Sequence, residues 1–228
     1  MIRGVLFDMD GVLFDTENLG QELMPKAARA FGREMDKSLY HRLLGVNEHL
    51  GRQIIAQAYG EDFPYDPFHD LFLQYFLDIA AAGQLPRKPG LAACMQGLKA
   101  RGIKIALATS TRRPVVECYL RNTPELTGVF DATVCGIEVP KGKPEPDIYL
   151  EAARRIGLSP EECMGVEDSR NGLRSVRAAG AVSVMIPDLL PFGEELAPYV
   201  DYGLPDLNAL CPLIDRVNGA GGGGTALP

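Results

Sequence analysis

The chain has 228 residues, 46% of them hydrophobic and 23% charged, which is ordinary for a globular protein with a sizeable core in one large domain or two small ones. Its formal net charge is −7 and it contains no long basic cluster, which argues against nucleic acid or an anionic membrane as the main partner. No apolar stretch has the length of a transmembrane helix, and the N-terminus lacks the pattern of a signal peptide.

The chain opens with an apolar run, Val5 to Phe7, that predicts a buried strand. The run ends at Asp8 and Asp10, which Gly11 follows. Acidic residues at the carboxyl end of a parallel strand lie where open α/β sheets bind ligands. One carboxylate there can act as a nucleophile, and a second can transfer protons or help hold a cation. The alternative is an Asp-rich turn that only carries the chain out of the core.

A helical insert follows over residues 15–83, where apolar residues recur at helical spacing and strand signals are few. Glycine and proline divide the insert into four predicted helices. The aromatic residues of the fourth helix are interpreted as bundle core. The four helices are marked by Leu19, Leu23 and Ala27; by Leu39, Leu43 and Leu44; by Ile54, Ile55 and Ala58; and by the run from Phe68 to Ile79.

After a linker over residues 85–90, strands and helices alternate, which predicts a parallel sheet with helices on both faces. The predicted strands cover residues 103–108, 130–134, 163–166 and 181–186, and the predicted helices cover 91–101, 115–120, 147–156 and 172–179.

Polar residues follow several of these strands. Thr109 and Ser110 close one strand, Glu167 and Asp168 close another, and a loop carries Lys143. If those strands are neighbours, the polar groups converge with Asp8 and Asp10 on one crevice. Clustered carboxylates repel one another unless a cation lies among them, and oxygen ligands of this kind suit Mg²⁺. The lysine and the hydroxyl would then bind an anion such as phosphate.

The sequence resembles the haloacid dehalogenase-like (HAD) phosphohydrolase superfamily, in the subgroup of sugar-phosphate phosphatases, phosphoglycolate phosphatases and β-phosphoglucomutases. Its motifs occur in order and span nearly the whole chain: DMDGVLFDT at residues 8–16, a strand that ends at Thr109-Ser110, GKPEPDIY at residues 142–149, and GVEDSRNG at residues 165–172.

The resemblance implies an α/β fold with a Rossmann-like HAD core, a parallel sheet flanked by helices, and a small helical-bundle cap inserted after the first strand. We assign residues 1–14 and 84–218 to the catalytic core and residues 15–83 to the cap. Residues 219–228, which include four consecutive glycines, are predicted to form a disordered tail.

The resemblance also implies the catalytic roles. Asp8 would attack phosphorus and form an aspartyl-phosphate, with Mg²⁺ neutralising charge. Asp10 would protonate the leaving oxygen and then activate water. Lys143 would stabilise the charge that builds on Asp8 and on the phosphoryl group.

The remaining core motifs supply phosphate and metal contacts by the same resemblance. Thr109 and Ser110, with Lys143, would bind phosphoryl oxygens. Asp8, the main-chain carbonyl of Asp10 and Asp168 would hold Mg²⁺. Glu167 would either be a metal ligand or orient ligands from the outer shell.

The predicted reaction depends on cap positions at which this sequence differs from β-phosphoglucomutases. β-Phosphoglucomutases that resemble this chain carry a histidine at the position of Gly20. They also carry a basic residue just after a Gly-Val pair in the cap, whereas in this sequence Asn47 and Glu48 follow that pair. A mutase must bind a second phosphate and protect its phospho-enzyme, so hydrolysis of a phosphomonoester is favoured, with a β-phosphoglucomutase-like phosphomutase as the alternative. A non-catalytic binding protein and a dehalogenase are disfavoured because every first-contact group of a phosphatase is present.

The cap is expected to set specificity for a small phosphorylated metabolite, by preference a sugar phosphate. Arg52, Asn47 and Arg112 are the candidate substrate contacts. For Arg52 and Asn47 the favoured alternative is a solvated residue on a helix face, and for Arg112 a solvated charge at a helix start is an equal alternative. Five isolated cysteines without a Cys-x-x-Cys pair indicate reduced, mostly structural thiols and a cytoplasmic protein. Nothing in the sequence indicates an obligate protein partner.

Overall fold

The computed structural model describes residues 1–44, 46, 48–189 and 191–219, which form an α/β fold around a six-stranded sheet. All the strand pairs of this sheet are parallel, as the sequence predicted. The strands are β1 (Gly4–Phe7), β2 (Lys104–Thr109), β3 (Ala132–Cys135), β4 (Cys163–Glu167), β5 (Val182–Met185) and β6 (Tyr202–Gly203). Their order across the sheet is β3-β2-β1-β4-β5-β6, so β1 lies between β2 and β4.

Helices cover both faces of the sheet, which confirms the predicted fold class. In the part of the chain that the structure describes, five helices lie between β1 and β2, and the others follow the later strands. The helices are α1 (Thr16–Ala30), α2 (Lys37–Leu43), α3 (Glu48–Tyr59), α4 (Tyr65–Ala81), α5 (Leu91–Ala100), α6 (Arg113–Arg121), α7 (Asp147–Arg155), α8 (Arg170–Ala179) and α9 (Leu210–Gly219).

Strand β1 is apolar throughout because both of its faces are buried. Val5 and Phe7 belong to the hydrophobic cluster on one face, and Leu6 belongs to the cluster on the other. Successive strand residues point to opposite faces, so an uninterrupted apolar run is what a central parallel strand requires. On the Leu6 face, β2 presents the small residues Ala106 and Ala108 to helix α7.

Helices α1 to α4 share a hydrophobic cluster of their own, which includes Tyr40 and Phe68. Phe68 and Phe76 of α4 are buried, which confirms that these aromatic residues are core. The chain leaves and re-enters the sheet domain through two linkers that pair with each other: Asp15 N–H donates to the Pro86 carbonyl, and Lys88 N–H donates to the Leu13 carbonyl, both at 2.9 Å. The exact boundaries of core and cap stay a prediction.

The C-terminal elements β6 and α9 were not predicted from the sequence. Strand β6 has two residues, too few for a periodic signal, and α9 carries a proline in its first turn. Gly219 is the last residue of α9 and not the start of a tail, so that boundary was wrong; residues 220–228 lie outside the described residues. In the part of the chain that the structure describes, no helix combines the length and apolar character needed to cross a membrane.

Candidate active site

Three carboxylates meet where β1 and β4 end at the same edge of the sheet. Asp8 follows β1 directly, and its main-chain N–H donates to the Val166 carbonyl at 3.0 Å. Glu167 is the last residue of β4, and Asp168 comes next. Because the two strands are parallel neighbours, carboxylate oxygens of Asp8, Glu167 and Asp168 lie within 4.8 Å of one another.

The tight turn after Asp10 depends on a glycine. Gly11 has a φ of +75°, a conformation that other residues rarely adopt. A Cβ at this position would lie 2.1 Å from the Asp168 carboxylate. Gly11 therefore gives the turn its shape and also leaves room for Asp168 beside it.

Lys143 joins two of the carboxylates. Its Nζ lies 2.7 Å from Asp8 Oδ1 and 2.6 Å from Glu167 Oε1, and its side chain is only 8% exposed. Burial by itself would lower the pKa of Lys143, but the charges of Asp8 and Glu167 outweigh it and raise the pKa, so the ammonium is retained. Burial raises the pKa of Asp8 to about 7, with Lys143 opposing and Glu167 adding to the rise.

Glu167 is fully buried and is held by protein donors on both oxygens. Oε1 accepts from Lys143 Nζ and from the Tyr149 hydroxyl at 2.7 Å. Oε2 accepts from Ser169 Oγ at 3.0 Å and from the main-chain N–H of Asp168 at 3.2 Å. A carboxylate with this many donors is fixed in place. This fits both roles that the sequence left open for Glu167, which are to orient the metal ligands or to bind the metal itself.

The cluster fits a hard divalent cation. Burial raises the pKa of Asp168 well above its usual range, and the neighbouring charges of Glu167 and Asp8 add to that rise. Such repulsion is relieved when a cation lies among the oxygens, and carboxylate oxygens are the ligands that Mg²⁺ prefers. The side chain of Asp10 is not part of this group, so its metal role through the main-chain carbonyl stays a prediction.

Asp10 is instead held by hydroxyl groups. Its Oδ2 accepts a hydrogen bond from Thr111 Oγ1 at 2.6 Å, and Thr16 is a second side-chain partner. Burial raises the pKa of Asp10, and the hydrogen bonds of Thr111 and Thr16 oppose that rise. A carboxyl that binds a proton more readily than usual suits proton transfer. Sequence reasoning missed Thr111, although it follows directly on the predicted Thr109-Ser110 pair.

Thr109 and Ser110 lie at the end of β2, next to this group. Thr109 is buried, and its Oγ1 accepts from the Thr111 N–H at 3.1 Å, whereas Ser110 is exposed. Their role in phosphate binding stays a prediction.

The predicted cap contacts form a separate group at the surface. Glu48 lies 3.6 Å from Arg52 and 3.7 Å from Arg112, so one carboxylate brings a cap arginine and a core arginine together. Arg52 also pairs with Asp66 and lies over the Tyr65 ring at 4.3 Å. Asn47 lies outside the described residues.

A pair of residues that the sequence did not single out lies on the cap side of the site. The Tyr40 hydroxyl donates to the Glu17 carbonyl at 2.9 Å and is 3.3 Å from Glu17 Oε2. Burial raises the pKa of Glu17 to about 7, and the charges of Asp10 and Asp188 add to that rise, so Glu17 lies close enough to Asp10 to feel its charge. The same hydroxyl lies 2.2 Å from where a Cβ of Gly20 would be.

The variant Gly20→Ala is therefore expected to lose stability. Alanine normally stabilises a helix interior over glycine, but here its methyl group meets a buried tyrosine, and overpacking of this kind costs about 2 kcal/mol. Urea unfolding measures the change. In the control Gly51→Ala, in α3, the nearest atom lies at 3.4 Å, so that variant should equal or exceed the wild type in stability. The double variant Gly20→Ala with Tyr40→Phe should recover part of the loss, because the clashing hydroxyl is removed. If Gly20→Ala is as stable as Gly51→Ala, the packing argument is contradicted.

Comparisons with known proteins agree with this geometry. A family model described as haloacid dehalogenase-like hydrolase matches residues 2–180. The chain is 32% identical over 216 residues to the protein CbbY of Rhodobacter capsulatus, covering 91% of this chain and 95% of that protein. It is 34% identical over 183 residues to the phosphorylated carbohydrates phosphatase of Thermotoga maritima, covering 78% and 82%.

A solved structure gives the same result. The crystal structure of a CbbY mutant from Rhodobacter sphaeroides, in complex with xylulose-(1,5)bisphosphate, superposes with a TM-score of 0.77 at 31% identity, covering 92% of this chain and 96% of that one. The relatives support the predicted phosphatase activity. From its motifs, its fold and these matches, the chain belongs to the haloacid dehalogenase-like hydrolase family.

Proposed function

We propose that this protein is a Mg²⁺-dependent phosphatase that hydrolyses a small phosphorylated sugar through an aspartyl-phosphate on Asp8. The observation that carries the proposal is the position of Lys143, which contacts Asp8 and Glu167 beside Asp168. That arrangement combines a nucleophilic carboxylate, the fixed ammonium group of a lysine and oxygen ligands for a metal in one crevice.

The residues divide the chemistry between them. Asp8 forms the new bond to phosphorus while the bond to the leaving oxygen breaks, and Asp10 gives its proton to that oxygen. Water then attacks the aspartyl-phosphate and Asp10 takes up the proton. Lys143 holds the Asp8 carboxylate in position and stabilises the negative charge that accumulates on the phosphoryl oxygens.

Asp8 and Asp168 would hold Mg²⁺, with Glu167 as a further ligand or as the group that orients them. The metal would neutralise charge between the carboxylates and the phosphoryl group, so that two anions can approach each other.

The substrate class rests on two supports. Relatives of this chain are named for phosphorylated carbohydrates, and one was solved with a sugar bisphosphate. Arg112 is 68% exposed and shares Glu48 with Arg52, so the cap and the core each offer an arginine to a second anionic group of a substrate.

The alternative remains a β-phosphoglucomutase-like phosphomutase. The cap departs from that activity at Gly20, because the Tyr40 hydroxyl fills the space where a side chain at this position would begin. A side chain there would have to displace a tyrosine that is only 4% exposed. Hydrolysis is therefore the preferred reaction.

The test is phosphate release, in the presence of Mg²⁺, from a panel of sugar monophosphates, sugar bisphosphates, phosphoglycolate, nucleotides and pyrophosphate. The panel includes β-glucose 1-phosphate, with glucose 6-phosphate followed in parallel. Free phosphate from one or a few sugar phosphates would support the proposal and name the substrate. Isomerised sugar phosphate without net release would make the protein a mutase, and release from nucleotides alone would refute the sugar assignment.

The phosphatase activity should depend on a bound metal ion. In EDTA we expect no phosphate release, and added Mg²⁺ should restore it, because the carboxylates otherwise repel the phosphoryl group. A second readout does not depend on substrate: Mg²⁺ at 100 times its Kd should stabilise the folded protein by about 2.7 kcal/mol. The variant Asp168→Asn should lose most of this stabilisation. Activity that is indifferent to the chelator would refute the metal assignment.

A further inference from the structure

The cysteines that looked isolated in the sequence include one pair in contact. Cys94 lies in α5 and Cys211 lies in α9, and the packing of the two helices brings their side chains close enough to interact. Cys211 Sγ also lies 3.8 Å from the Cys94 carbonyl oxygen. The two residues are 117 positions apart in the sequence, so their spacing gave no sign of the contact.

The packing of α5 against α9 holds the two thiols together. Arg101 directly follows α5, about two turns after Cys94, and makes a two-pronged ion pair with Asp215, which lies about one turn after Cys211 in α9. The Nε–Oδ1 distance is 2.8 Å and the Nη2–Oδ2 distance is 2.6 Å. Gly97 allows the close approach, because a Cβ at that position would lie 2.8 Å from Cys211 Sγ. The ion pair and the glycine therefore fix which parts of the two helices face each other.

The two thiols differ in reactivity. The hydrogen bond from Cys94 lowers the pKa of Cys211 to about 7, and the positive charge of Arg101 contributes, against the effects of burial and of Asp215. Cys94 is 2% exposed and Cys211 is 8% exposed, so the thiol with the lower pKa is also nearer the surface. A lowered pKa makes a cysteine more reactive towards oxidants, and because both thiols are buried, the oxidant that suits them is a small uncharged one such as hydrogen peroxide.

We propose that Cys94 and Cys211 are an oxidation site that forms a disulfide on reaction with a peroxide and so fastens α9 to α5. The Cys211 thiolate attacks one oxygen of hydrogen peroxide, which breaks the O–O bond and gives a sulfenic acid and hydroxide. The Cys94 thiol then attacks the Cys211 sulfur, the S–S bond forms, the S–O bond breaks and water leaves. In total two thiols lose two hydrogens and one peroxide becomes two waters.

The experiment counts thiols in the full-length protein. Fully reduced protein labelled in denaturant, which exposes the four buried cysteines, should take up five N-ethylmaleimide adducts, one for each cysteine. After treatment with hydrogen peroxide it should take up three, because five minus two leaves three, and its intact mass before labelling should fall by about 2 Da. Peptide mapping without reductant should link the Cys94 and Cys211 peptides, and dithiothreitol should reverse the change.

Variants separate the steps. Cys94→Ser should stop at the sulfenic acid, which dimedone traps on Cys211, and Cys211→Ser should give no linked peptide. Cys118→Ser, which changes a half-buried cysteine elsewhere, should oxidise like the wild type. The closed loop is long, so the oxidised wild type should melt roughly 5–10 °C higher than the reduced protein. Five adducts after peroxide treatment, or a disulfide through other cysteines, would overturn the proposal. The peptide map of the oxidised wild type tests the proposal even if a variant fails to fold.

Discussion

The variant Asp8→Asn should lose at least about 10,000-fold in kcat, because removal of a covalent nucleophile leaves only binding and charge stabilisation. The amide has nearly the same shape as the carboxylate but does not attack phosphorus. Folding should be retained, since Lys143 keeps its contact with Glu167 at 2.6 Å. The neutral amide in the variant also avoids the free-energy cost of burying a charged carboxylate. Phosphate release and circular dichroism measure the two properties.

The matched control is Asp62→Asn, which removes the same charge from an exposed loop between α3 and α4 and should leave kcat unchanged. In the wild type, acid quench during turnover should trap phosphate on the Asp8 peptide, and Asp8→Asn should show none. Full activity of Asp8→Asn would remove the covalent mechanism from the proposal.

Replacement of Lys143 by methionine should reduce both activity and stability. The ammonium lies within 2.7 Å of two buried carboxylates, and deleting one partner of a buried charge pair costs about 3–5 kcal/mol. The rate should fall by about 100-fold or more, since the charge on the phosphoryl group loses a fixed donor. Urea unfolding and phosphate release are the measurements, and Lys141→Met, an exposed lysine in the same loop, is the control.

The pH dependence identifies the cause of the loss. Lys143 lowers the pKa of Asp8, so its removal should raise that pKa further above the ordinary value of 3.8. A folded-state pKa above the unfolded value means that the folded variant binds more protons than the unfolded chain, so its stability increases as the pH falls. The deficit of Lys143→Met relative to the wild type should therefore be smaller at pH 5 than at pH 8. A deficit that is the same at both values would indicate lost packing and not unpaired charge.

The carboxylates of the site that the sequence predicted are attached directly to strand ends, whereas Lys143 was predicted from a loop motif. Asp8, Glu167 and Asp168 each follow a buried apolar run, and the run and its polar end are visible together in the sequence. The parallel sheet then places these ends side by side. The fold class followed from the same alternation of strands and helices.

The residues that were missed come from elements whose mutual placement depends on tertiary packing. Tyr149 reaches Glu167 from α7, and Tyr40 reaches Glu17 from the next cap helix. Tyr40 has no pattern that distinguishes it from an ordinary helix residue on a buried face. Tyr149 closes the GKPEPDIY motif at residues 142–149, but the motif alone assigned it no contact. Thr111 is different, because it stands beside a predicted motif, and the signal was present but was assigned to its two neighbours.

Ala106 and Ala108 have a consequence for how this enzyme can change. They share a hydrophobic cluster with Tyr149, whose hydroxyl reaches Glu167 from the same helix. A larger side chain at either alanine would press on the helix that carries Tyr149, so we expect the Tyr149–Glu167 hydrogen bond to depend on the small volume of these two strand residues. A directed-evolution library confined to the crevice would leave these two positions unexplored.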